Sequence, residues 1–491
     1  MNKKLNHLLA IFSLAIASCA ASAAPVNVSP LSVDKPQWMP SPRQLTNTAV
    51  EKPGPVDLSP APASPAAKST ATITVTKTTA RQEIWGFGGS VTGPAKNFRQ
   101  DLSAKTQNEA FDLLFSNEGD NLGLTIARLN IDPLIQPKPG QHNWAVDKDQ
   151  AWFTQEAYKR YPCPITAVPW SPPAWMKFNN SLKDGSTDKT DSRLKPEHYA
   201  TFAQWLYDWT YYYRDTHGLN IKWLSLQNEP NADVKWYGCH YSPKEMEKTV
   251  LAVLDLFRSK NSTVAIGAPE CGHDQSAQEF IDAWSASTRE KIDWLPHHGY
   301  KSIRQPQNDL DFSKYNKPVL MTELCGGPKP VNDLTIVDGL LWAGHIQRAL
   351  SRNERGYLYW QLLRAAASPQ SLLVLKSGKD VFIKSKRAFV FGQYSRFIRP
   401  GYIIVNAKSS DSALLITAAK HPSTGNTSVV IANKSDKDII ATITGLDGKT
   451  IGARVTDKQY DFAATKDIPA SGTGAFTIKI PAMSVVSIAE K

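Results

Sequence analysis

From Ala71 to Lys77 apolar and polar residues alternate strictly, the period of a strand with one face buried. Beyond residue 83 the pattern changes to short, nearly continuous apolar runs. These are Ile84 to Gly88, Thr125 to Ile131, Ile165 to Trp170, Trp223 to Asn228, Val264 to Ala268, Trp294 to His298, Val319 to Thr322 and Tyr357 to Trp360. Between several of them lie longer stretches with helical periodicity, at Tyr199 to Arg214, Pro243 to Ser259 and Val337 to Arg352. Strands apolar on both faces that alternate with helices belong to a parallel sheet covered on both sides. Eight such units predict an α/β fold, a (β/α)8 TIM barrel over residues 83–400. After Pro400 the helical period is lost. Leu414 to Thr417, Ser428 to Asn433, Ile439 to Thr444, Ala475 to Ile480 and Val485 to Ile488 read as short strands of an antiparallel β side domain over 401–491. The strand at 71–82 precedes the barrel, and is expected to join that side domain from the other end of the chain.

The segment before residue 71 has neither pattern. Lys3 and Lys4, the apolar run Leu8 to Ala17 and the small residues Ala21-Ser22-Ala23 read as a signal peptide over 1–24, too short to span a membrane. The protein is therefore expected to be secreted or periplasmic. Ile16-Ala17-Ser18-Cys19 also reads as a lipobox, in which the signal ends at 18 and an acylated Cys19 makes an outer-membrane lipoprotein. Association with a membrane is expected only in that case. Residues 25–70 are rich in Pro, Ser and Ala and read as a linker.

Composition narrows the partners. The net charge of +11 comes without a Lys/Arg block or basic helix, which argues against nucleic acid and is compatible with an acidic polysaccharide. Fourteen tryptophans allow both a large core and aromatic surfaces for sugar rings. Cys163, Cys239, Cys271 and Cys325 are widely spread without a C-x-x-C pair, so neither a metal nor any other cofactor is expected. The last three follow predicted strands, which leaves one surface disulfide open.

Two of the strand runs end in a carboxylate. Trp223 to Asn231 (WLSLQNEPN) brings Asn228 and Glu229 to a strand tip that Pro230 terminates, because proline lacks the amide donor needed to continue a ladder. Pro318 to Glu323 (PVLMTE) has the same construction. Two carboxyl groups facing one bond is what glycoside hydrolysis needs.

Five blocks give the sequence a family likeness: WGFGGSVTGPA at 85–95, IARLNIDP at 126–133, PWSPPAWMKFNNSLKDG at 169–185, LQNEPN at 226–231 and YSRFIRPGY at 394–402. With LMTE at 320–323 and HHGY at 297–300, the chain from Glu83 to the C-terminus resembles glycoside hydrolase family 30 of clan A, nearest its bacterial xylanase-type members. The resemblance implies a retaining glycosidase, most simply an endo-β-1,4-xylanase acting as a monomer, with Glu229 as acid/base and Glu323 as nucleophile. It also implies substrate-binding roles for Arg128, Asn228, His298 and Tyr300, and sugar platforms at Trp170 and Trp360; Trp175 fits core packing better. Glucuronoxylan-specific relatives carry Tyr-Ile-Arg-Arg after the eighth strand, with the first arginine on the uronate. Here the run is Gln361-Leu362-Leu363-Arg364, so strict glucuronate dependence is not expected unless Arg364 reaches the same space. Leu324-Cys325-Gly326-Gly327 after the nucleophile also departs from the subgroup's His-Tyr. The alternatives are another β-linked glycan or glycoconjugate (β-1,6-glucan, β-1,6-galactan or glucosylceramide), or a catalytically silent barrel that only binds glycan.

Overall fold

The computed structural model describes residues 55–60, 71–185, 189–300, 312–326, 333–365, 369–376 and 378–491. The signal peptide, the lipobox with Cys19 and most of the linker lie outside the described residues.

The first long strand, β1 (Ala71–Glu83), leads into eight parallel strands: β2 (Gly86–Ser90), β3 (Ile126–Asn130), β4 (Ile165–Val168), β5 (Ile221–Ser225), β6 (Ala265–Gly267), β7 (Leu295–His298), β8 (Val319–Leu324) and β9 (Glu354–Arg364). Their ladders run β9-β2-β3-β4-β5-β6 on one side and β9-β8-β7 on the other. A single bridge between Gly267 and Trp294 spans the remaining gap, so the sheet is a nearly closed barrel. Gly267 is required there, because a Cβ at that position would lie 2.3 Å from the Trp294 indole. The lower interior is filled by Ile126, Trp223, Trp294, Leu320 and Leu358, with Trp85 stacked on Trp223 at 4.8 Å. This plug closes the N-terminal end and leaves the C-terminal strand tips as the open face.

The helices over 199–217, 243–259 and 336–351 agree with the periodicity to within a few residues. The helix at Pro243–Ser259 shows why its start was legible: Ser242 and Glu245 form a reciprocal capping box and Pro243 occupies the first turn. The helix at Lys386–Phe397 was not legible as an amphipathic element. Every residue from Arg387 to Phe397 is buried, because the helix lies between the barrel and the second sheet. It is tied to that sheet by Gln393 Nε2 donating to Thr456 Oγ1 at 2.9 Å and Ser487 Oγ donating to the Gln393 carbonyl at 3.0 Å.

After β9 come a parallel strand β10 (Ser371–Leu375) and its hairpin partner β11 (Phe382–Lys384), which extend the barrel sheet beyond the expected eight strands. The side domain then adds β12 (Ile403–Ser409), β13 (Leu414–Lys420), β14 (Thr427–Asn433), β15 (Ile439–Thr444), β16 (Thr450–Thr456), β17 (Ala463–Ala464), β18 (Ile468–Pro469), β19 (Phe476–Ile480) and β20 (Ser484–Glu490). β1 lies inside this sheet, antiparallel to β12 and parallel to β15, with Ile73 and Val75 in its core.

Two readings need correction. Residues 55–60, assigned to the linker, pack on the side domain: Val56 bridges to Thr465, and Leu58 is 1% exposed in the sheet's core. The cysteines offer no surface disulfide, since Cys163, Cys239, Cys271 and Cys325 are buried free thiols. Among the described residues no helix is long and apolar enough to cross a membrane.

Candidate active site

Glu229 sits four residues past the end of β5 in the left-handed region, at φ 48°. A non-glycine residue there costs on the order of 1 kcal/mol or more, so its surroundings must over-determine it. They do so through the backbone: Asn228 N–H donates to the Pro169 carbonyl at 2.9 Å, and Glu229 N–H to the Glu270 carbonyl at 2.8 Å. Glu323 lies within β8, whose six residues are all buried. His298 ends β7, and Tyr300, two residues on, reaches the Glu323 carboxylate. His297 faces the other way, toward Glu354 at 3.4 Å, as strand alternation requires.

These groups form one network. Arg128, on β3 and 1% exposed, donates through Nη1 to Glu323 Oε2 at 2.7 Å. Its Nη2 donates to Asn228 Oδ1 at 2.7 Å and to Glu270 Oε1 at 3.1 Å. Tyr300 Oη donates to Glu323 Oε1 at 2.8 Å. His298 places Nδ1 at 3.1 Å from Glu229 Oε1 and Nε2 at 3.3 Å from Glu270 Oε1. The Arg128 guanidinium lies 4.8 Å from the Trp170 ring and 5.8 Å from Trp360, and the two indoles are 5.5 Å apart. The structure thus brings Arg128, Trp170, Asn228, Glu229, His298, Tyr300, Glu323 and Trp360 together.

Charge follows from these distances. Burial opposes a charge on Arg128, but Glu270 and Glu323 hold its pKa above the ordinary arginine value. Burial also opposes ionisation of Glu270, yet Arg128 and His298 hold that carboxyl down to about 2. His298 is desolvated too, but Glu323 and its bonds to Glu229 and Glu270 push it up to about 9, which makes it a cation at neutral pH. Burial and the Glu323 charge keep the Tyr300 phenol well above its usual value, so it stays a donor. Burial raises Glu323 as well, with His298 and Arg128 pulling it back and Glu229 pushing it up. Two cations, Arg128 and His298, therefore face the three carboxyls of Glu229, Glu270 and Glu323.

The family model described as O-glycosyl hydrolase family 30 matches residues 134–276, which include Glu229 and Glu270. The chain is similar to glycoside hydrolase family 30. It is 24% identical over 429 residues to glucuronoxylanase XynC of Bacillus subtilis (strain 168), covering 84% of this chain and 90% of that one. It is 23% identical over 432 residues to an endo-1,6-β-D-glucanase of Aspergillus fumigatus, covering 78% and 86%. Its fold matches the catalytic domain of a GH30 xylanase C from Talaromyces cellulolyticus with a TM-score of 0.73 at 21% identity, covering 86% of this chain and all of that one.

Against this family 30 background, the eighth-strand departure takes a different form from the one expected. Leu363 is 1% exposed in the hydrophobic core, so it does not stand in the cleft at all. Arg364, one residue on, is half-buried and close enough to Cys325 to favour the thiolate, although burial dominates and drives that thiol up to about 12. Among the described residues no carboxylate pairs with Arg364. Trp175 is held aside, its Nε1 donating to the Gln136 carbonyl at 3.0 Å.

Sequence reasoning missed Glu270. A related signal was present: Val264 to Ala268 is an apolar run, Pro269 ends it, and a carboxylate follows, whereas Glu229 precedes its proline. It also missed Lys177, which is buried and whose Nζ donates to Ser171 Oγ and to the carbonyls of Lys183 and Gly238 at 3.1, 2.8 and 2.6 Å. Lys177 ties the loop after β4 to the loop that follows Glu229. Glu229, His298 and Glu323 bring three potential donor atoms within 4.8 Å of one another. A metal ion suits that space poorly, because Arg128 and a protonated His298 already fill it with positive charge.

Proposed function

We propose that this protein is an exported retaining glycoside hydrolase that cleaves β-linked polysaccharide, with xylan as the lead substrate and no strict need for glucuronate branches. The observation that carries the reading is the approach of the two carboxyls, whose nearest oxygens lie within 4.8 Å. Retaining enzymes hold theirs about 5–5.5 Å apart, whereas inverting enzymes need roughly 6.5 Å or more to admit a water.

In this reading Glu323 is the nucleophile. Its two oxygens accept from Arg128 and Tyr300, donors that favour the carboxylate. Glu229, bonded to His298, is the proton donor in this reading. Glu323 attacks the anomeric carbon while Glu229 protonates the departing oxygen, giving a glycosyl ester and a free chain end. Glu229, now a carboxylate, takes a proton from water, whose oxygen attacks the anomeric carbon as its bond to Glu323 breaks and frees the Glu323 carboxylate. Arg128 occupies the Asn228 amide oxygen, which leaves the N–H donors of that amide for the sugar's 2-hydroxyl. Trp170 and Trp360 supply aromatic surface at the cleft.

The test is reducing-end release from xylan, glucuronoxylan, β-1,6-glucan, β-1,6-galactan and glucosylceramide, with the anomer of the first product read by proton NMR. Xylan cleavage with retained configuration is expected. An inverted first product overturns the mechanism, and turnover of only one of the other substrates overturns xylan. A chain that binds glycan but cleaves none of the five is the silent barrel.

A further inference from the structure

Glu270 has no place in the two-carboxylate mechanism, yet it is 1% exposed at the centre of the site and bonded to two of its members. Its backbone carbonyl receives the Glu229 amide, and its side-chain Oε1 receives both Arg128 and His298. The groups facing His298 are Glu229 from the loop after β5, Glu270 after β6, Tyr300 beyond its own strand, and Glu323 from β8 at 3.9 Å. Arg128 from β3 stands behind Glu270 and Glu323. The His298 backbone amide is taken by the Cys271 carbonyl.

We propose that Glu270 is a positioning residue that keeps His298 doubly protonated, and through it keeps the acid proton of Glu229 turned toward the scissile bond. The inference rests on the reading of Glu229 as acid. A charged His298 has N–H donors at both nitrogens. Nε2–H points to Glu270 and Nδ1–H to Glu229 Oε1, so the Glu229 proton must sit on Oε2, free for the glycosidic oxygen. When that proton moves, the bond from the anomeric carbon to the oxygen breaks with its electron pair on oxygen. The carboxylate left on Glu229 is then met by the imidazolium. A neutral His298 does the opposite. Its remaining proton stays on Nε2 toward residue 270, and the bare Nδ1 becomes an acceptor that draws the Glu229 O–H away from the substrate.

Glu270→Gln tests this, since the amide oxygen keeps the acceptor for Arg128 and His298 while the charge is lost and the second oxygen becomes an NH2 group. The readout is kcat/KM against pH on aryl β-xylobiosides, or on aryl glycosides of the sugar wild type cleaves best, with phenol or 2,4-dinitrophenol as leaving group. Expulsion of phenolate needs the acid; expulsion of dinitrophenolate does not. For the phenyl substrate, Glu270→Gln is expected to stay within about tenfold of wild type at pH 6 and to move the alkaline limb down by about one pH unit or more. The dinitrophenyl substrate should show no such movement. An unmoved limb, or an equal shift on both substrates, overturns the proposal. Should the variant fail to fold, nitrogen-15 histidine spectra of the wild-type protein decide: His298 protonated on both nitrogens at pH 7.5 supports the proposal, and a neutral tautomer sinks it. Failure of the acid assignment has its own signature, a Glu229→Ala variant that loses equal activity on both leaving groups.

Discussion

Arg128 and Glu323 approach to 2.7 Å across the barrel interior, from strands β3 and β8, with the guanidinium side chain 1% exposed. The same guanidinium also serves Asn228 and Glu270, so one side chain holds the proposed nucleophile, the residue before the proposed acid, and Glu270. Removing it strands two carboxylates in a desolvated cluster. Arg128→Leu is expected to cost about 3–5 kcal/mol of unfolding free energy, the usual penalty for breaking a buried pair from one side. Arg128→Lys should retain more stability, but a single ammonium cannot reproduce two forked contacts, and kcat/KM should still fall by at least ~100-fold. Denaturant titration beside steady-state kinetics checks both; a Lys variant with near wild-type kinetics refutes the positioning role.

The two carboxylates should respond differently to an external nucleophile. Glu323→Ala and Glu229→Ala are each expected to lose several orders of magnitude in turnover with the fold intact. Azide should rescue Glu323→Ala to a glycosyl azide of inverted configuration, and Glu229→Ala to one of retained configuration. Either variant keeping more than about a tenth of wild-type activity loses its assigned role, because tenfold is only about 1.4 kcal/mol.

His298 ties stability to pH. Its folded pKa, about 9, stands above the ordinary 6.5. The charged form is thus favoured by folding, and the contribution is complete below pH 6.5 and lost as pH rises through about 9. Its upper size is on the order of 3 kcal/mol, and it belongs to the whole cluster rather than to histidine alone. Unfolding free energy of wild type relative to His298→Gln should therefore shrink between pH 6.5 and 9.5 or so. Equal pH slopes for the two proteins speak against a charged His298.

Much of this site was legible because chain termination is a local property. Pro230 bars any strand from running on past it, and a carboxylate beside it is thereby kept close beyond a tip, although β5 itself already ends at Ser225. Partnership is not local. Arg128 and Glu270 are 142 residues apart and meet only when the barrel closes, so nothing in the Pro269-Glu270 dipeptide announced a counter-ion. The helix at 386–397 was hidden for a related reason: buried on every side, it has no polar stripe to set its period. β16 escaped because Gly452 and Arg454 interrupt its apolar pattern, although Arg454 is buried against Asp120 at 2.7 Å. Leu363 was assigned to the cleft by sequence correspondence. Its burial is set by the packing outside β9, which a motif does not encode.

The last prediction concerns Arg364 and the substrate's charge. An arginine that binds a uronate carboxylate bidentately in a partly dry cleft contributes on the order of 1.5–3 kcal/mol, or roughly 10- to 150-fold in transition-state binding. Leu363 offers no such contact, since it is buried in the hydrophobic core. Arg364 is half-buried near Cys325, two residues past Glu323. Without a dedicated pair, xylo-oligosaccharides with and without one glucuronate should differ by less than about tenfold in kcat/KM. A chain of net charge +11 still attracts a branched, acidic polymer through encounter. That advantage should fade with added salt, because exposed charges more than about 10 Å apart are screened at 0.1 M whereas a close buried pair is not. The measurement is kcat/KM on matched oligosaccharides at low and high ionic strength, in wild type and Arg364→Ala. A salt-insensitive preference above about 50-fold that disappears in Arg364→Ala means that Arg364 is a uronate-binding arginine and that the enzyme depends on the branch after all.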